Sequence, residues 1–282
     1  MPLLSITWNP DPIWFSIGSI NFRYYSILYV TGLVFAYLII NKLVMREGKE
    51  RDFVDKFAWF VIIGLIIGAR LGHCLFYEPG YYLHHIVEML LPIKEMPTGG
   101  YKFIGYQGLA SHGGAIGVLL GLFLFCRKYK VKYLWMADKM VIPVPLTAAC
   151  IRFGNFMNSE IIGRPTNSDW GVIFERVDML PRHPSQLYEA ICYLLIFGIM
   201  IWYYRKNFPK LYDGKIFGLF LMLMFIARFI IEFGKEVQES FEESLALDMG
   251  QLLSIPFIIL GIWLFFFRKS EISTTQAPKA KK

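Results

Sequence analysis

Apolar windows of membrane-crossing length recur seven times along this chain of 282 residues. They lie near 24–43, 57–77, 108–126, 133–153, 187–204, 215–233 and 249–267. Each runs roughly 18–21 residues, the length a helix needs to cross a hydrocarbon core about 30 Å thick. No water in that core can bond an unpaired backbone N–H or C=O, so segments of this kind have to be helical. The composition agrees: 55% of the residues are apolar or aromatic and only 18% are charged, against about 25% charged in soluble domains. That balance excludes a disordered chain, a collagen and a coiled coil, and leaves too little polar surface to cover a soluble enzyme. The chain reads as an all-α polytopic membrane protein.

The basic residues set the orientation. One group of connections, together with the C-terminal tail, carries 18 of the 29 lysines and arginines; the opposite group carries seven, and four (Arg70, Lys139, Arg152 and Arg228) fall inside spans. The positive-inside rule then puts the N-terminus outside and the C-terminus in the cytoplasm. The net charge of +7 is this bias rather than a nucleic-acid footprint. Residues 1–269 read as one integral membrane domain with long outer loops at about 78–107 and 154–186. The polar segment 270–282 reads as a disordered cytoplasmic tail. The N-terminus has neither the basic region nor the small-residue cleavage site of a signal peptide. It holds Trp8, Pro10, Pro12 and Trp14, which suit an interfacial lead-in.

Punctuation within the spans is informative. Pro143 and Pro145 predict a kink in the fourth. Gly64, Gly68 and Gly72, and again Gly117 and Gly121, fall four apart and predict close helix contacts. Cys74, Cys126, Cys150 and Cys192 sit in apolar surroundings without a CxxC pair and read as small core residues rather than metal ligands or a disulfide frame. No internal repeat is visible.

Charged and hydrogen-bonding groups inside spans are expensive, and here they gather on one side. Tyr24 and Tyr25 open the first span, Arg70 lies in the outer half of the second, and His112 opens the third. Arg152 ends the fourth and Glu189 starts the fifth. Arg228 and Glu232 lie in the outer half of the sixth, and Asp248 and Gln251 open the seventh. Singly, each has a plain structural reading; Arg228 and Glu232, for example, are spaced for an ion pair on one helix face. Together they point to a polar site at the level of the outer leaflet, where arginines would hold an anionic group such as phosphate. Asp138 and Lys139, near the inner end of the fourth span, read as structural.

Three stretches are dense in polar groups: Ser111-His112-Gly113-Gly114; Arg152-Phe153-Gly154-Asn155-Phe156-Met157-Asn158-Ser159-Glu160 followed by Gly163-Arg164; and His183-Pro184-Ser185-Gln186-Leu187-Tyr188-Glu189. The last has the proline placement of a helix start. With Arg228-Phe229, Glu232 and Met249-Gly250-Gln251, these runs, in this order, resemble the prolipoprotein diacylglyceryl transferase family of bacteria over about Arg23 to Phe267. The resemblance implies seven transmembrane helices with a small extracytoplasmic head, set in the bacterial cytoplasmic (inner) membrane. It also implies a reaction: the diacylglyceryl group of phosphatidylglycerol moves to the lipobox cysteine thiol of a prolipoprotein, a thioether forms, and glycerol 1-phosphate leaves.

Carried over by motif position, His112 would take the thiol proton or stabilise the thiolate, since a free thiol with a pKa of about 8.5 is mostly protonated near neutrality. Arg152 would hold the phosphate and Arg228 would supply a second cation. Asn155 and Asn158 would bond the glycerol head group. Glu160 would orient Arg152 or His112, Tyr25 would contact the lipid head group, and Gly163 would complete the substrate-binding run. The partners implied are phosphatidylglycerol, prolipoprotein lipobox segments and membrane lipids. No metal, cofactor or nucleic acid is expected. Where the family often carries a tyrosine one turn before the sixth-span arginine, this chain has Met224, so no hydroxyl role is assigned there. A small-solute or lipid transporter is the alternative; the missing repeat and the one-sided polar cluster weigh against it. An intramembrane protease has no support, because neither GxSxG nor HExxH occurs and Asp138 has no aspartyl partner in a span.

Overall fold

A computed structural model of the chain describes residues 4–18, 20–96, 99–103, 105, 108–235 and 247–268. The proposed tail 270–282 lies outside them. Helices dominate. The first predicted span is α1 (Tyr24–Arg46) and the second α2 (Arg51–Phe76); two short helices follow, α3 (Pro79–Tyr82) and α4 (Ile86–Leu90). The third is α5 (Ser111–Tyr129). The fourth is broken at Pro143 into α6 (Tyr133–Val141) and α7 (Val144–Asn158), because proline lacks the N–H that would continue the ladder. The last three are α8 (Ser185–Asn207), α9 (Lys215–Glu232) and α10 (Met249–Ile262), which continues as a π-helical turn through Phe267.

Among the described residues, five segments are long and apolar enough to cross a membrane: Tyr24–Arg46, Arg51–Phe76, Tyr133–Asn158, Ser185–Asn207 and Met249–Phe267. By helix length and composition the chain is therefore a polytopic membrane protein. The other two predicted spans are helices as well, but α9 carries Lys215, Arg228 and Glu232 within 18 residues, and α5 is diluted by five residues of low apolarity at its start.

The chain is not purely helical, as the sequence suggested. β1 (Leu4–Trp8) pairs in parallel with β6 (Trp170–Phe174), which pairs antiparallel with β7 (Pro181–Arg182). β2 (Ile13–Ile17) and β3 (Ile20–Arg23) form a hairpin, as do β4 (Ile93–Glu95) and β5 (Tyr101–Phe103). These strands have three to five residues, or two for β7, and lie in segments whose hydrophobic pattern is too short for periodicity to register. β1 in addition finds its ladder partner β6 far along the sequence.

The chain divides into two compact units, Met1–Gly48 with Ala137–Lys282, and Lys49–Met136. In the second unit α2 and α5 pair along the predicted glycine seam. A Cβ added at Gly117 would fall on the carbonyl oxygen of Gly64, and one at Gly113 on that of Gly68. Backbones meet here without side chains between them, the packing that small residues permit where no hydrophobic force distinguishes helix from lipid. Phe53, Phe57, Phe60 and Tyr129 surround the buried Phe125 at the far end of the pair.

In the first unit α1 packs on α7, α7 on α8, α8 on α9 and α9 on α10. Gly32 meets Thr147, whose hydroxyl donates to the Gly32 carbonyl at 3.0 Å. The buried polar groups at the basic-loop end have structural duties. Lys139 pairs with Glu47 at 3.0 Å, and both side chains are about 1% exposed. The Tyr204 hydroxyl donates to the same Glu47 carboxylate at 3.1 Å. Asp138 accepts from the N–H groups of Gly214 and Phe217, each at 2.7 Å, so α9 is capped by a side chain from α6 rather than by its own residue.

Replacing Lys139 with methionine strands the Glu47 charge in an apolar interior. The variant is expected to unfold about 3–5 kcal/mol more easily in denaturant titrations of the detergent-solubilised protein, and adding Glu47→Gln is expected to recover part of that loss.

Candidate functional site

Glu189 lies in the second turn of α8 and has no exposed surface. A carboxylate in that position needs charged partners, and it has two. Arg152 Nε of α7 lies 2.7 Å from Oε2, and Lys235 Nζ lies 3.0 Å from Oε1. The Tyr193 hydroxyl, one turn further along α8, donates to Oε1 at 3.2 Å. Lys235 also reaches Glu232 at 3.1 Å. The ends of three helices are thus tied through one carboxylate.

Arg152 is fixed on a second side. Its Nη1 donates to Asn155 Oδ1 at 3.2 Å, and the Asn155 amide nitrogen donates to Glu160 at 3.1 Å. Asn158 donates to the other oxygen of Glu160, also at 3.1 Å. Glu160 therefore acts on Arg152 through Asn155. The Asn155 amide, assigned from sequence to the glycerol head group, is engaged at both ends and buried. Nη2 of Arg152 makes no hydrogen bond among the described residues, and the side chain remains 17% exposed. The result is a guanidinium braced at Nε and Nη1 with Nη2 left to donate to an oxyanion.

The turn after α7 is strained. Ser159 and Ile161 have φ of 57° and 55°, and the left-handed region is a true outlier for a β-branched residue. Gln186 donates to the Glu160 carbonyl at 2.6 Å and Ser185 to that of Ile161 at 2.9 Å. The first turn of α8 thus clamps the strained turn. Gly163 follows, bonding the His183 carbonyl through its N–H at 3.0 Å and accepting from Arg182 at 3.2 Å. A Cβ there would lie 2.5 Å from the His183 oxygen and 2.9 Å from that of Gly234. Arg182 is held by Asp178, and this ion pair keeps the Asp178 carboxyl below its ordinary value.

Tyr25, in the first turn of α1, is half-buried, and its ring packs against Gly154, beside Asn155. Arg228 is exposed on α9. Its charge, with those of Arg152 and Glu189, acts on the Tyr193 hydroxyl. The spacing of Arg228 and Glu232 predicted an ion pair; among the described residues Glu232 pairs with Lys235 instead. Glu232 also sits against Gly250, where a Cβ would meet its carboxyl carbon at 2.7 Å. Asp248 and Gln251 form a capping box that starts α10.

Sequence reasoning left three members out of the site: Glu189, noted only as a polar group at a span start; Lys235, counted as a loop cation; and Tyr193. The one signal for Glu189 was a carboxylate in the opening turns of an apolar helix. Nothing in the local sequence linked Lys235 to it, 46 positions away.

In the unit of residues 49–136, His112 occupies the second position of α5, where its ring is exposed. Gly113 and Gly114 after it are buried against α2. Arg70 in this unit serves the fold. Its Nη2 donates to the Glu88 carbonyl at 2.6 Å and its Nε to that of Met89 at 3.2 Å. The Tyr82 ring lies over it at 4.7 Å. The Glu88 carboxylate accepts from the Glu95 N–H and the Tyr81 hydroxyl, each at 2.7 Å.

The family described as prolipoprotein diacylglyceryl transferase matches residues 12–267. That span contains every motif described above. The chain belongs to the prolipoprotein diacylglyceryl transferase family. Three relatives carry the name phosphatidylglycerol–prolipoprotein diacylglyceryl transferase. The protein of Bacteroides fragilis is 50% identical over 265 residues, 94% of this chain and 96% of the relative. That of Tolumonas auensis is 45% identical over 94% and 98% of the two chains. That of Porphyromonas gingivalis is 40% identical over 92% and 93%. The described part of this member of the family thus carries a braced, half-open arginine in one unit and an exposed histidine in the other.

The Glu88 cluster yields a pH test. Bonding from the Glu95 N–H, with help from the Tyr81 hydroxyl, holds the Glu88 carboxyl below its ordinary value of 4.5. Its contribution to stability is therefore full above that value and is lost as the pH falls through the lower, folded one. Thermal unfolding followed between about pH 6 and pH 3 is expected to show an acid limb that Glu88→Gln flattens.

Proposed function

We propose that the chain transfers the diacylglyceryl group of phosphatidylglycerol to the lipobox cysteine of prolipoproteins. The cysteine sulfur forms a bond to the terminal glycerol carbon that carried the phosphate. The carbon–oxygen bond at that position breaks, and its electron pair leaves with the oxygen as glycerol 1-phosphate. This is displacement at carbon, so it needs a thiolate, a held phosphate and cationic charge for the departing oxygen. The observation that carries the reading is Arg152: an arginine clamped by Glu189 and Asn155 with Nη2 left without a partner among the described residues suits a phosphodiester. Names borne by relatives at 40–50% identity support the same substrates.

Within this reading Arg152 binds the phosphate and stabilises the charge that grows as the bond breaks. Arg228 supplies a second cation. His112, exposed at the start of α5, receives the thiol proton. Asn158, Tyr25 and Gly163 belong to the lipid-binding run, and Asn155 and Glu160 hold Arg152 in place.

We further propose that α5 and α9 cross the membrane with the five longer segments, which makes seven spans. The N-terminus then lies outside and the C-terminus in the cytoplasm of a bacterial inner membrane. The three-stranded sheet and the turn around Gly163 form a small extracytoplasmic head. The lopsided distribution of lysine and arginine supports this orientation.

Purified protein in detergent, given phosphatidylglycerol and a lipobox peptide, is expected to yield a peptide heavier by one diacylglyceryl group in mass spectra, with none from a Cys→Ser peptide. Arg152→Ala and His112→Ala are each expected to cut the rate at least about a hundredfold; the thermal unfolding temperature stays near that of the parent for His112→Ala, whereas Arg152→Ala also lowers it by taking one cation from buried Glu189. Undiminished turnover in either variant would reject that residue's role.

A further inference from the structure

We infer that Lys235 is a positioning residue that sets the charge available at Arg152; this rests on the reading of Arg152 as the phosphate-binding group. Arg152 and Glu189 form a close pair at 2.7 Å with the carboxylate fully buried. Left as a pair, they would be neutral, and in a dry site the carboxylate would cancel most of the attraction the guanidinium offers a second anion. Lys235 changes that balance. Its ammonium lies 3.0 Å from the other oxygen of Glu189, with its side chain only 6% exposed. With Glu232 on the far side of the ammonium, Arg152, Glu189, Lys235 and Glu232 sum to zero; without Lys235 the cluster would be one unit negative beside the group that has to attract a phosphodiester.

The backbone keeps Lys235 in this position. Its carbonyl accepts from Arg164 Nε at 2.6 Å, and the preceding Gly234 carbonyl accepts from the Arg164 N–H at 3.0 Å. Gly163 and Lys235 form an isolated antiparallel bridge. The same Gly163 segment continues from the strained turn that follows Asn155 and Glu160, so both arms that hold Arg152 converge on one stretch of chain. Glu232, 3.1 Å from the ammonium, orients it from the end of α9. Lys235 itself touches no reacting atom in this scheme; it acts through Glu189.

The test compares charge with bracing. Lys235→Met leaves the cluster one unit negative, Lys235→Arg keeps its charge, and Glu189→Gln with Lys235→Met removes one charge of each sign and restores the net value. Glutamine still offers Arg152 an acceptor oxygen. With the full-length protein in detergent, Lys235→Met is expected to raise KM for phosphatidylglycerol about tenfold or more, with a smaller change in kcat. Lys235→Arg is expected to restore it, and the double variant to bind better than Lys235→Met alone. A purely structural brace predicts the reverse order, with the double variant the worst, and that result would overturn the inference. So would an unchanged KM in Lys235→Met.

Binding is read separately by titrating each protein with short-chain phosphatidylglycerol and following intrinsic fluorescence. If the parent binds this lipid and forms no thioether, the transferase reading fails while the binding order still decides the role of Lys235. If Lys235→Met does not fold, Lys235→Gln takes its place in the same comparison.

Discussion

A carboxylate with no access to water cannot stand alone in an apolar interior, and Glu189 is such a group. Its demand for partners organises the end of α7, the start of α8 and the chain that leaves α9. Arg152 and Lys235 answer it with charge and Tyr193 with a hydroxyl. Once those contacts are made, the guanidinium has one orientation, the chain after α9 is tied back to the start of α8, and the strained turn around Ile161 is closed over the result. Stability is a weak explanation for such an arrangement, because well-packed apolar residues often do as well as a buried ion pair. An arginine held with a donor to spare is something apolar residues cannot supply.

The two ends of the first unit use buried charge differently. At the basic-loop end, Lys139 and Glu47 pair with each other, and Asp138 spends both oxygens on backbone N–H groups of α9. Those charges are consumed by the fold. At the other end Arg152 has a donor to spare, and Arg228 is exposed. The difference between a saturated cluster and an unsaturated one separates structure from site here, more than the mere presence of charge in a span does. Arg70 makes the same point, because its contacts with the Glu88 and Met89 carbonyls explain a membrane arginine without any substrate.

Much of this was legible in the sequence. Seven apolar windows became helices at nearly the expected places, and Pro143 broke the fourth, since both signals are local. The motif runs also placed Arg152, Asn155, Glu160 and Gly163 correctly near one another, because they lie within twelve positions. What escaped was long-range. The strands β1 and β6 are five residues each and pair across more than 160 positions, with no pattern to announce it. Lys235 and Glu189 meet only because α8 and α9 pack together. The i,i+4 spacing of Arg228 and Glu232 was a sound helix rule, overridden when Lys235 came within reach of Glu232 from beyond the helix end.

The cap that Asp138 places on α9 bears on how the chain is made. Lys215 and Glu232 are the first and last residues of α9 and Arg228 lies one turn from its end, so the charges of α9 sit toward its ends, while its leading amides need a partner from outside the helix. The ribosome delivers α6 well before α9, so the carboxylate that receives the Gly214 and Phe217 amides is already waiting when that segment emerges. The start of α9 is then completed by an element already synthesised, so the order of synthesis and the order of packing agree at this end of the unit.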